Sequence, residues 1–366
     1  MRITVIIVSY NVRFFLELCL FSLEKAIGKH SVEIIVADNH STDDSIGYLK
    51  GRFEQVRFLQ LGHNIGFAAA NNRALAQATG ELVLFLNPDT IVPEDLFDMS
   101  LEFFHQHPDA GAMGFRMVDG RGQFLRESKR GFPRFWASFY KMTGLAAIFP
   151  QSKIFARYYL GHLDEKKSSA VEVLSGAALM ARKDVLDELQ GFDERFFMYA
   201  EDIDLSHRIQ RLGYKNYYNP SITLVHFKGE SSPHNATYYS QFYGAMSTFI
   251  IKYTGTIYPP SLSHSLQLII RVRILFSTFI RTTRMAVNKI PGSFDMTGGR
   301  PTKAIVHDPL SMNRLYVAGQ EMSFRNVISL LQKEGRFRNC YFHAEGSKSI
   351  AGGSSRRSSG AGFLLP

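Results

Sequence analysis

Apolar runs alternate with helix-type segments through residues 3–89, and this alternation limits the possible folds more than any other feature of the chain. Each run is rich in Val, Ile, Leu or Phe with little polar alternation, which is typical of a strand buried on both faces of a parallel sheet. The runs lie at residues 3–8, 32–37, 56–59 and 82–86, and helix-type segments lie at 16–27 and 66–78. The pattern predicts βαβ units and an α/β fold, with three layers around a mostly parallel sheet.

Polar residues end three of these apolar runs. Ser9-Tyr10-Asn11 follows the first run, Asp38 follows the second, and Asn87-Pro88-Asp89 follows the fourth. Because ligands of open α/β sheets bind beyond the carboxyl ends of the strands, we expect these residues to meet at one binding edge. The alternative for Asp38 is an Asx turn that caps the next helix.

An acidic stretch within an aromatic segment marks a second candidate site. Three acids fall within residues 196–205, namely Glu201, Asp202 and Asp204. Apolar residues at helical spacing from residue 205 to residue 212 predict a helix that begins at these acids. The alternative is structural: the acids stabilise the helix N-terminus, and Asp204 pairs with Arg208 one turn later.

Six motifs resemble, in order, those of the inverting family-2 glycosyltransferases with a GT-A (Rossmann-like) fold. They are Val5-Ile6-Ile7-Val8-Ser9-Tyr10-Asn11, Val36-Ala37-Asp38-Asn39-His40-Ser41-Thr42-Asp43, Asn64-Ile65-Gly66-Phe67-Ala68, Asn71-Asn72, Leu86-Asn87-Pro88-Asp89 and Tyr199-Ala200-Glu201-Asp202. The Asn-Pro-Asp motif and the residues from Gly191 to Tyr199 look most like the rhamnosyltransferase-type branch. The resemblance covers about residues 3–232.

The resemblance implies a nucleotide-sugar donor that binds at the strand ends. The residues implied for donor binding are Ser9, Tyr10, Asn11, Asp38, Asn64, Gly66, Asn71 and Asn87. Asp38 is expected to contact the nucleotide base. The segment from Asn64 to Gly66 opens a helix whose N-terminus suits an anionic group, with plain turn chemistry as the alternative.

The resemblance also implies the catalytic acids and the acceptor side. Asp202 maps to the general base, which takes the proton of the acceptor hydroxyl as that hydroxyl attacks the anomeric carbon. Glu201 lies beside it, and two neighbouring carboxylates tend to raise one pKa of the pair. Gly176, Asp193 and Glu194 are expected on the acceptor side.

A divalent cation, Mg²⁺ or Mn²⁺, is implied by the same family pattern. Asn87 replaces the first acid of the Asp-x-Asp motif, so Asp89 carries the ionic part of metal binding. His226 matches a histidine that some GT-A enzymes use as a further ligand. The alternative for His226 is a structural residue that forms hydrogen bonds at a strand end.

Residues 253–294 contain no acid and predict a basic amphipathic helix. One face carries Arg273, Ser277, Arg281 and Arg284, and the other carries Leu268, Val272, Leu275, Phe276 and Phe279. Such a helix is typical of a segment that lies on an anionic membrane surface, and the alternative is packing against the catalytic domain. A membrane site suits the lipid-linked glycan acceptor that the family resemblance implies.

The chain organisation and location follow from these segments. We expect a GT-A catalytic domain at residues 1–250 and the basic amphipathic segment at 251–290. Residues 291–366 are expected to hold a linker, a strand–helix–strand unit and a flexible tail rich in Ser, Gly and basic residues. Residues 115–170 predict a long insertion over the sheet that forms a wall of the site. Without a signal peptide or spanning helix, we expect a peripheral protein on the cytoplasmic face of a membrane.

Three other classes of function compete with a glycosyltransferase. Sugar-1-phosphate nucleotidyltransferases carry a glycine-rich opening after the first strand, which Ser9-Tyr10-Asn11 does not resemble. A catalytically inactive scaffold would be favoured by loss of Asp89 or Asp202, and both are present. Nucleic-acid binding fits poorly because no nucleic-acid-binding motif accompanies the net charge of +9. We therefore predict an inverting glycosyltransferase of cell-surface polysaccharide synthesis.

Overall fold

The computed structural model describes residues 1–142, 144–228, 236–271, 313–319, 322–334, 339–352 and 361–364. The chain forms two compact units. The first comprises Met1–His234 together with Asn313–Pro366, and the second comprises Asn235–Met312.

A mixed sheet of nine described strands organises the first unit. The strands from residue 3 to residue 226 are β1 Ile3–Ser9, β2 Val32–Asp38, β3 Val56–Gln60, β4 Leu82–Leu86, β5 Thr90–Ile91, β6 Ala110–Val118, β7 Lys129–Arg130, β8 Ser169–Val171, β9 Val173–Leu174, β10 Ala178–Arg182 and β11 Lys215–His226. The sheet order is β3-β2-β1-β4-β10-β6-β11-β5, with β8 also paired to β11, while β7 and β9 form a separate pair. Since only β10, β5 and β8 run against the other strands, the sheet is mostly parallel, as predicted.

Helices cover both faces of this sheet. They are α1 Arg13–Ile27, α2 Ser45–Lys50, α3 Phe67–Leu75, α4 Leu96–Gln106, α5 Phe135–Met142, α6 Leu145–Ile148, α7 Lys183–Glu188 and α8 Glu201–Arg211. Val5 and Ile7 of β1 face a core shared with α1 and α4. Ile6 and Val8 face a second core shared with α3, α7 and α8. Because side chains alternate along a strand, β1 contributes to both cores, and the predicted three layers are confirmed.

The second unit contains helix α9, Ala236–Lys252, and a further helical stretch at residues 260–271. Gln267 donates to the backbone oxygen of Ser247, which joins the two helices. Leu268 is described and exposed. The rest of the predicted basic amphipathic face lies outside the described residues. No helix in the part of the chain that the structure describes is long and apolar enough to span a membrane.

The C-terminal segment folds onto the first unit as a small sheet. Its elements are β12 Asn313–Ala318, α10 Phe324–Glu334, β13 Asn339–Ala344, β14 Ser349–Gly352 and β15 Ala361–Leu364. β12 and β13 are parallel, and α10 lies between them in the chain. β14 and β15 continue the sheet with antiparallel pairs. These two strands lie in the stretch that was expected to be flexible, so the structure differs there from the expectation.

Apolar packing and the carboxylates of Glu17, Glu94 and Asp95 hold this C-terminal sheet against the rest of the unit. Phe15 and Leu18 of α1 share a buried cluster with Leu331 and Phe342. The carboxylate of Glu94 accepts hydrogen bonds from the backbone N–H groups of Phe324 and Arg325 at the start of α10. It thereby satisfies two donors that a helix N-terminus leaves without partners. The segment is thus part of the first unit's core.

Replacing Leu331 by Ala tests whether this packing stabilises the whole unit. Leu331 is fully buried, so Leu331→Ala is expected to lower the free energy of unfolding by about 2–5 kcal/mol. Urea unfolding followed by circular dichroism measures the change. Gln332→Ala, one position on and exposed, serves as the control and is expected to change stability by less than about 0.5 kcal/mol. Equal stability of the two variants would contradict the packing role.

Candidate active site

Parallel pairing brings the carboxyl ends of the first strands to one edge. In the register of β1 with β2, Ser9 lies beside Asp38, and in the register of β1 with β4, Ile7 lies beside Leu86. Asn87 follows Leu86 directly, so the polar residues after the three strands gather at the same end of the sheet. This arrangement agrees with the predicted binding edge.

Two buried oxygen atoms at this edge lack a hydrogen-bond partner within the described residues. They are Oγ of Ser9 and Oδ1 of Asp38. The other carboxylate oxygen of Asp38 accepts a bond from the backbone N–H of Ser41 at 3.0 Å, which is the Asx turn considered above. Buried polar atoms normally have partners, so the two remaining oxygens are suited to a ligand that supplies donors.

Asn39 fixes the turn that precedes α3. Its amide donates to Oδ1 of Asn64 at 2.9 Å and accepts a bond from the N–H of Ile65 at 2.9 Å. Gly66 has φ +87°, and a Cβ there would lie 2.5 Å from the backbone oxygen of Phe197. The N–H of Phe67 donates to that same oxygen at 2.7 Å. The start of α3 is therefore held against the segment before α8, and only glycine fits at position 66.

Tyr10 and Asn11 lie at the exposed rim of the same edge. Asn11 adopts φ +55°, and its side-chain oxygen accepts a bond from the N–H of Thr42 at 2.7 Å. Its own N–H donates to the hydroxyl of Ser41 at 3.0 Å. These bonds join the turn after β1 to the turn after β2.

Asn71 and Asn72 have different neighbours. The amide of Asn71 is buried and donates to the backbone oxygen of Phe67 inside its own helix. Asn72 instead bonds both backbone polar groups of Phe192 and the carboxylate of Glu194. Asp193 forms an ion pair with Arg195. Asn72, which the sequence analysis did not select, therefore anchors the segment that contains Asp193 and Glu194.

Asn87, Asp89 and His226 come together where β5 pairs with β11. Nε2 of His226 lies 3.3 Å from Oδ1 of Asp89 and 3.3 Å from the side-chain amide nitrogen of Asn87. Asp89 and His226 are both buried. Oδ1 of Asp89 and Nδ1 of His226 have no hydrogen-bond partner among the described residues.

These three side chains fit a divalent cation that is held partly by the substrate. No group of three or more His, Cys, Asp or Glu side chains that could enclose a metal ion occurs in the described part of the chain. Mg²⁺ commonly uses one or two carboxylates and takes its other ligands from phosphates and water. A buried carboxylate oxygen without a donor, beside an amide and an imidazole, matches that pattern.

Asp202 is held by three donors at the start of α8. Its Oδ2 accepts bonds from Nη2 of Arg130 at 2.5 Å and from the N–H of Gly176 at 3.0 Å. Its Oδ1 accepts a bond from the N–H of Ile203 at 2.8 Å. A carboxylate offers about four lone-pair positions, so one position remains on Oδ1. A Cβ on Gly176 would lie 3.2 Å from Cβ of Asp202, and glycine leaves this side of the acid open.

Glu201 differs from Asp202 in its protonation. Burial and the charge of Asp202 raise the pKa of Glu201 to about 8. Its Oε2 has no hydrogen-bond partner in the described residues. Near neutral pH the pair thus contains a protonated Glu201 next to an Asp202 that is ion-paired with Arg130.

The two residues that directly precede Glu201 adopt an unusual backbone conformation. Tyr199 has φ +71° and Ala200 has φ +65°, values that are sterically disfavoured for residues with a side chain. Strain of this kind persists where surrounding contacts fix it, and it clusters at functional sites. Asp204 pairs with Arg208 at 2.7 Å, as expected from the helical spacing.

Arg130 is a further residue of the candidate site that sequence reasoning missed. It lies 72 positions before Asp202, in the insertion, and no local motif marks it. Nη2 of Arg130 also donates to the backbone oxygen of Leu174, and its guanidinium bonds the hydroxyl of Tyr158. Burial disfavours the charged guanidinium, but Asp202 and Tyr158 outweigh this effect, so the pKa of Arg130 is raised.

The sequence pattern of glycosyl transferase family 2 matches residues 4–189, just over half of the chain. The chain belongs to glycosyl transferase family 2. It is therefore a glycosyltransferase that uses a nucleotide sugar as donor, and its sheet is the predicted GT-A arrangement. The nucleotidyltransferase and inactive-scaffold alternatives are not supported.

Relatives of this family-2 glycosyltransferase include two rhamnosyltransferases. An N-acetylglucosaminyl-diphospho-decaprenol L-rhamnosyltransferase of Mycobacterium tuberculosis strain H37Rv is 31% identical over 240 residues, which cover 62% of this chain and 76% of that enzyme. A rhamnosyltransferase of Escherichia coli strain K12 is 27% identical over 44% of this chain and 61% of its own. A solved mannosyltransferase of Pyrobaculum calidifontis, in complex with GDP-Man and Mn²⁺, gives a TM-score of 0.49 at 19% identity, over 80% of this chain and 76% of that one.

The raised pKa of Glu201 predicts a pH dependence of the glycosyltransferase's stability. Folded Glu201 keeps its proton up to about pH 8, whereas in the unfolded chain it ionises near 4.5. Between these values the folded state binds more protons, so stability falls as pH rises, at up to about 1.4 kcal/mol per pH unit. Glu201→Gln removes this contribution and should flatten the slope measured by urea unfolding between pH 5 and pH 8.

The exposed Glu188 of α7 provides the control for this prediction. Glu188→Gln is expected to keep the pH slope of the unmodified chain. An identical slope in Glu201→Gln and in the unmodified chain would show that Glu201 ionises normally in the fold.

Proposed function

We propose that this glycosyltransferase moves L-rhamnose, with inversion, from a nucleoside-diphosphate donor to a lipid-linked saccharide in cell-surface polysaccharide synthesis. The sugar and the acceptor are taken from the names of the two rhamnosyltransferase relatives. The observation that carries the mechanism is the buried carboxylate of Asp202, fixed by three donors with one oxygen position left open.

On the donor side, the strand ends supply the groups that a nucleoside diphosphate needs. The buried oxygens of Ser9 and Asp38 without partners support contacts with donors on the base or ribose. The turn from Asn64 to Gly66 leads into the N-terminus of α3, which favours negative charge. Tyr10 and Asn11 form the rim of this donor site.

Asp89 is the proposed anchor of a divalent cation, with Asn87 and His226 beside it. When bound, Mg²⁺ or Mn²⁺ would neutralise charge on the diphosphate as the sugar leaves. Because Asn87 carries no charge, this site holds one carboxylate where a pair would bind a cation more tightly.

Asp202 acts as the general base in the proposed reaction. The acceptor hydroxyl donates its proton to the open position on Oδ1, and its oxygen forms the new bond to the anomeric carbon. The bond from that carbon to the diphosphate oxygen breaks on the opposite face, and the nucleoside diphosphate leaves with the electron pair. Protonated Glu201 adds no second negative charge beside the base. Gly176, Asp193 and Glu194 are proposed to line the acceptor side.

Arg130 is proposed as a positioning residue that acts through Asp202. By bonding Oδ2 it turns the carboxylate so that Oδ1 faces outward. Its contacts with Leu174 and Tyr158 fix the guanidinium in turn.

The proposed acceptor requires that the enzyme work at a membrane. We propose a peripheral protein on the cytoplasmic face, with residues 251–290 in contact with anionic lipid. The acid-free composition of residues 253–294 supports this assignment.

Turnover of a panel of nucleotide sugars, with lipid-linked saccharide acceptors, tests the proposed reaction. We expect one donor, deoxythymidine-diphosphate-rhamnose, to be used with inversion at its anomeric carbon. Asp202→Asn should lower kcat by about 10²–10⁴-fold, because the base is lost. Asp184→Asn, an exposed acid of α7, is the matched control and should keep full activity. Full turnover in Asp202→Asn would place the base elsewhere.

A double-mutant comparison in the same assay separates the roles of Arg130 and Asp202. Arg130→Met should lower kcat by roughly tenfold to a hundredfold with an unchanged KM for the donor, and Arg130→Lys should restore part of the loss. In the Asp202→Asn background, Arg130→Met should have no further effect, since Arg130 acts only through that carboxylate. If Arg130→Met lowered kcat by the same factor with and without Asp202→Asn, the positioning role of Arg130 would be rejected.

Asn87→Asp tests the proposed cation site without any sugar substrate. A second carboxylate beside Asp89 should tighten Mn²⁺ binding by roughly tenfold or more, while Asp89→Asn should weaken it by a similar factor. Electron paramagnetic resonance of free Mn²⁺ measures both affinities. Asp184→Asn again serves as the control. Equal Mn²⁺ affinity in the unmodified chain and the three variants would show that the cation does not bind at Asn87 and Asp89.

A further inference from the structure

The insertion between β7 and β8 exposes a group of large apolar side chains. We call Trp136, Ile148, Phe149 and Ile154 the apolar patch; their exposed fractions are 61%, 68%, 49% and 63%. Trp136 is the single tryptophan of the chain. Soluble proteins seldom expose such residues as a group unless the surface contacts a partner or a membrane.

Ring contacts join two members of the patch, Trp136 and Phe149. Trp136 stacks on Tyr140 with ring centroids 6.0 Å apart, and Tyr140 meets the edge of Phe155 at 5.0 Å. Phe149 packs against the same Phe155 at 5.3 Å. Ile148 and Ile154 are sequence neighbours of these two phenylalanines. Trp136 and Phe149 therefore share one aromatic framework, and Ile148 and Ile154 adjoin it in the chain.

The segment that carries the patch has charged residues of one sign only, and its Arg134 pairs with Glu172, which lies outside the segment. Residues 129–163 contain six Lys or Arg and no Asp or Glu. Arg134, Lys153 and Arg157 are exposed beside the patch. An apolar surface with tryptophan at its rim and cations around it matches the interface of an anionic bilayer, where apolar groups enter and cations meet the headgroups.

The two ends of this segment meet beside the proposed base. Arg130, just before the patch, bonds Asp202, and Tyr158, just after it, bonds Arg130. The N–H of Gly131 also donates to the backbone oxygen of Tyr158 at 2.8 Å. The segment is thus a closed loop with the catalytic acid at its base and the apolar patch at its outer part.

We propose that the apolar patch is the surface by which the catalytic unit contacts an anionic phospholipid bilayer. This placement would bring the headgroup of a lipid-linked acceptor to the loop whose Arg130 bonds Asp202, and it rests on the proposed function for that reason. It consists of different residues from the segment 251–290. The single Trp136 makes it directly observable.

Tryptophan emission of the full chain, titrated with vesicles, tests the proposal. Vesicles of phosphatidylcholine with phosphatidylglycerol should shift the emission of Trp136 to shorter wavelength, and brominated acyl chains should quench it. Vesicles of phosphatidylcholine alone should bind far more weakly, and salt should weaken the anionic case. An unchanged emission spectrum with anionic vesicles, or equal binding to both compositions, would overturn the proposal.

Variants locate the contact on the patch. The combined change Ile148→Ser, Phe149→Ser and Ile154→Ser keeps Trp136 as the reporter and should weaken partition to anionic vesicles by roughly tenfold or more. Ile148→Ser alone, at a highly exposed position, is the substitute test if the combined variant folds poorly. It should give a smaller loss of partition. Val317→Ser with Met322→Ser, two exposed apolar residues elsewhere on the first unit, is the matched control and should leave the shift unchanged. An equal loss in this control would reject the patch.

Three further outcomes separate this proposal from a contact between two copies of the chain and from the proposed function. A blue shift that appears without vesicles as protein concentration rises, together with a dimer in sedimentation velocity, would assign the patch to a second copy of the chain and overturn the membrane contact. Vesicle binding at Trp136 without any sugar transfer would support the surface and reject the proposed function. Sugar transfer to the lipid-linked acceptor with no change in Trp136 emission would support the proposed function and reject the membrane contact of the patch.

Discussion

The parallel pairing of β1 with β2 and β4 is the constraint on which the donor side depends. In a parallel sheet all carboxyl ends lie at one edge, so the turns after these strands must meet there. Backbone groups inside the strands form the hydrogen bonds between neighbouring strands. The side chains at the carboxyl ends of the strands are available to a ligand. Oγ of Ser9 and Oδ1 of Asp38, which have no hydrogen-bond partner among the residues that the structure describes, lie at this edge.

A second constraint acts at Asp202, where the insertion meets the core fold. A buried carboxylate needs a counter-charge or several donors, because an isolated charge is very unfavourable in an apolar interior. Arg130 supplies the charge, and the backbone of Gly176 supplies a further donor. At Glu201, burial and the charge of Asp202 outweigh a backbone hydrogen bond and the attraction of Arg130, so the pKa is raised. The two adjacent acids therefore differ in their surroundings, since Arg130 bonds Asp202 whereas burial dominates at Glu201.

The same insertion has its two ends beside Asp202 and carries exposed side chains between them. Arg130 and Tyr158 close its base, while its outer part carries apolar and cationic side chains. The C-terminal sheet has a different role, since its side chains complete an apolar cluster on α1 and the carboxylate of Glu94 fixes the start of α10. The first unit is thus built from segments far apart in the chain.

The sequence by itself determined the alternating strands and helices, the sheet edge at which the polar residues after the strands gather, and the acids at the start of α8. Each of these depends on local periodicity or on residues that directly follow a strand, which a single sequence displays. Only the tertiary structure revealed the bond from Arg130 to Asp202, the anchoring by Asn72 and the packing of the C-terminal sheet. These contacts join residues tens to hundreds of positions apart, so no local pattern specifies them, and they follow only once the whole chain has folded.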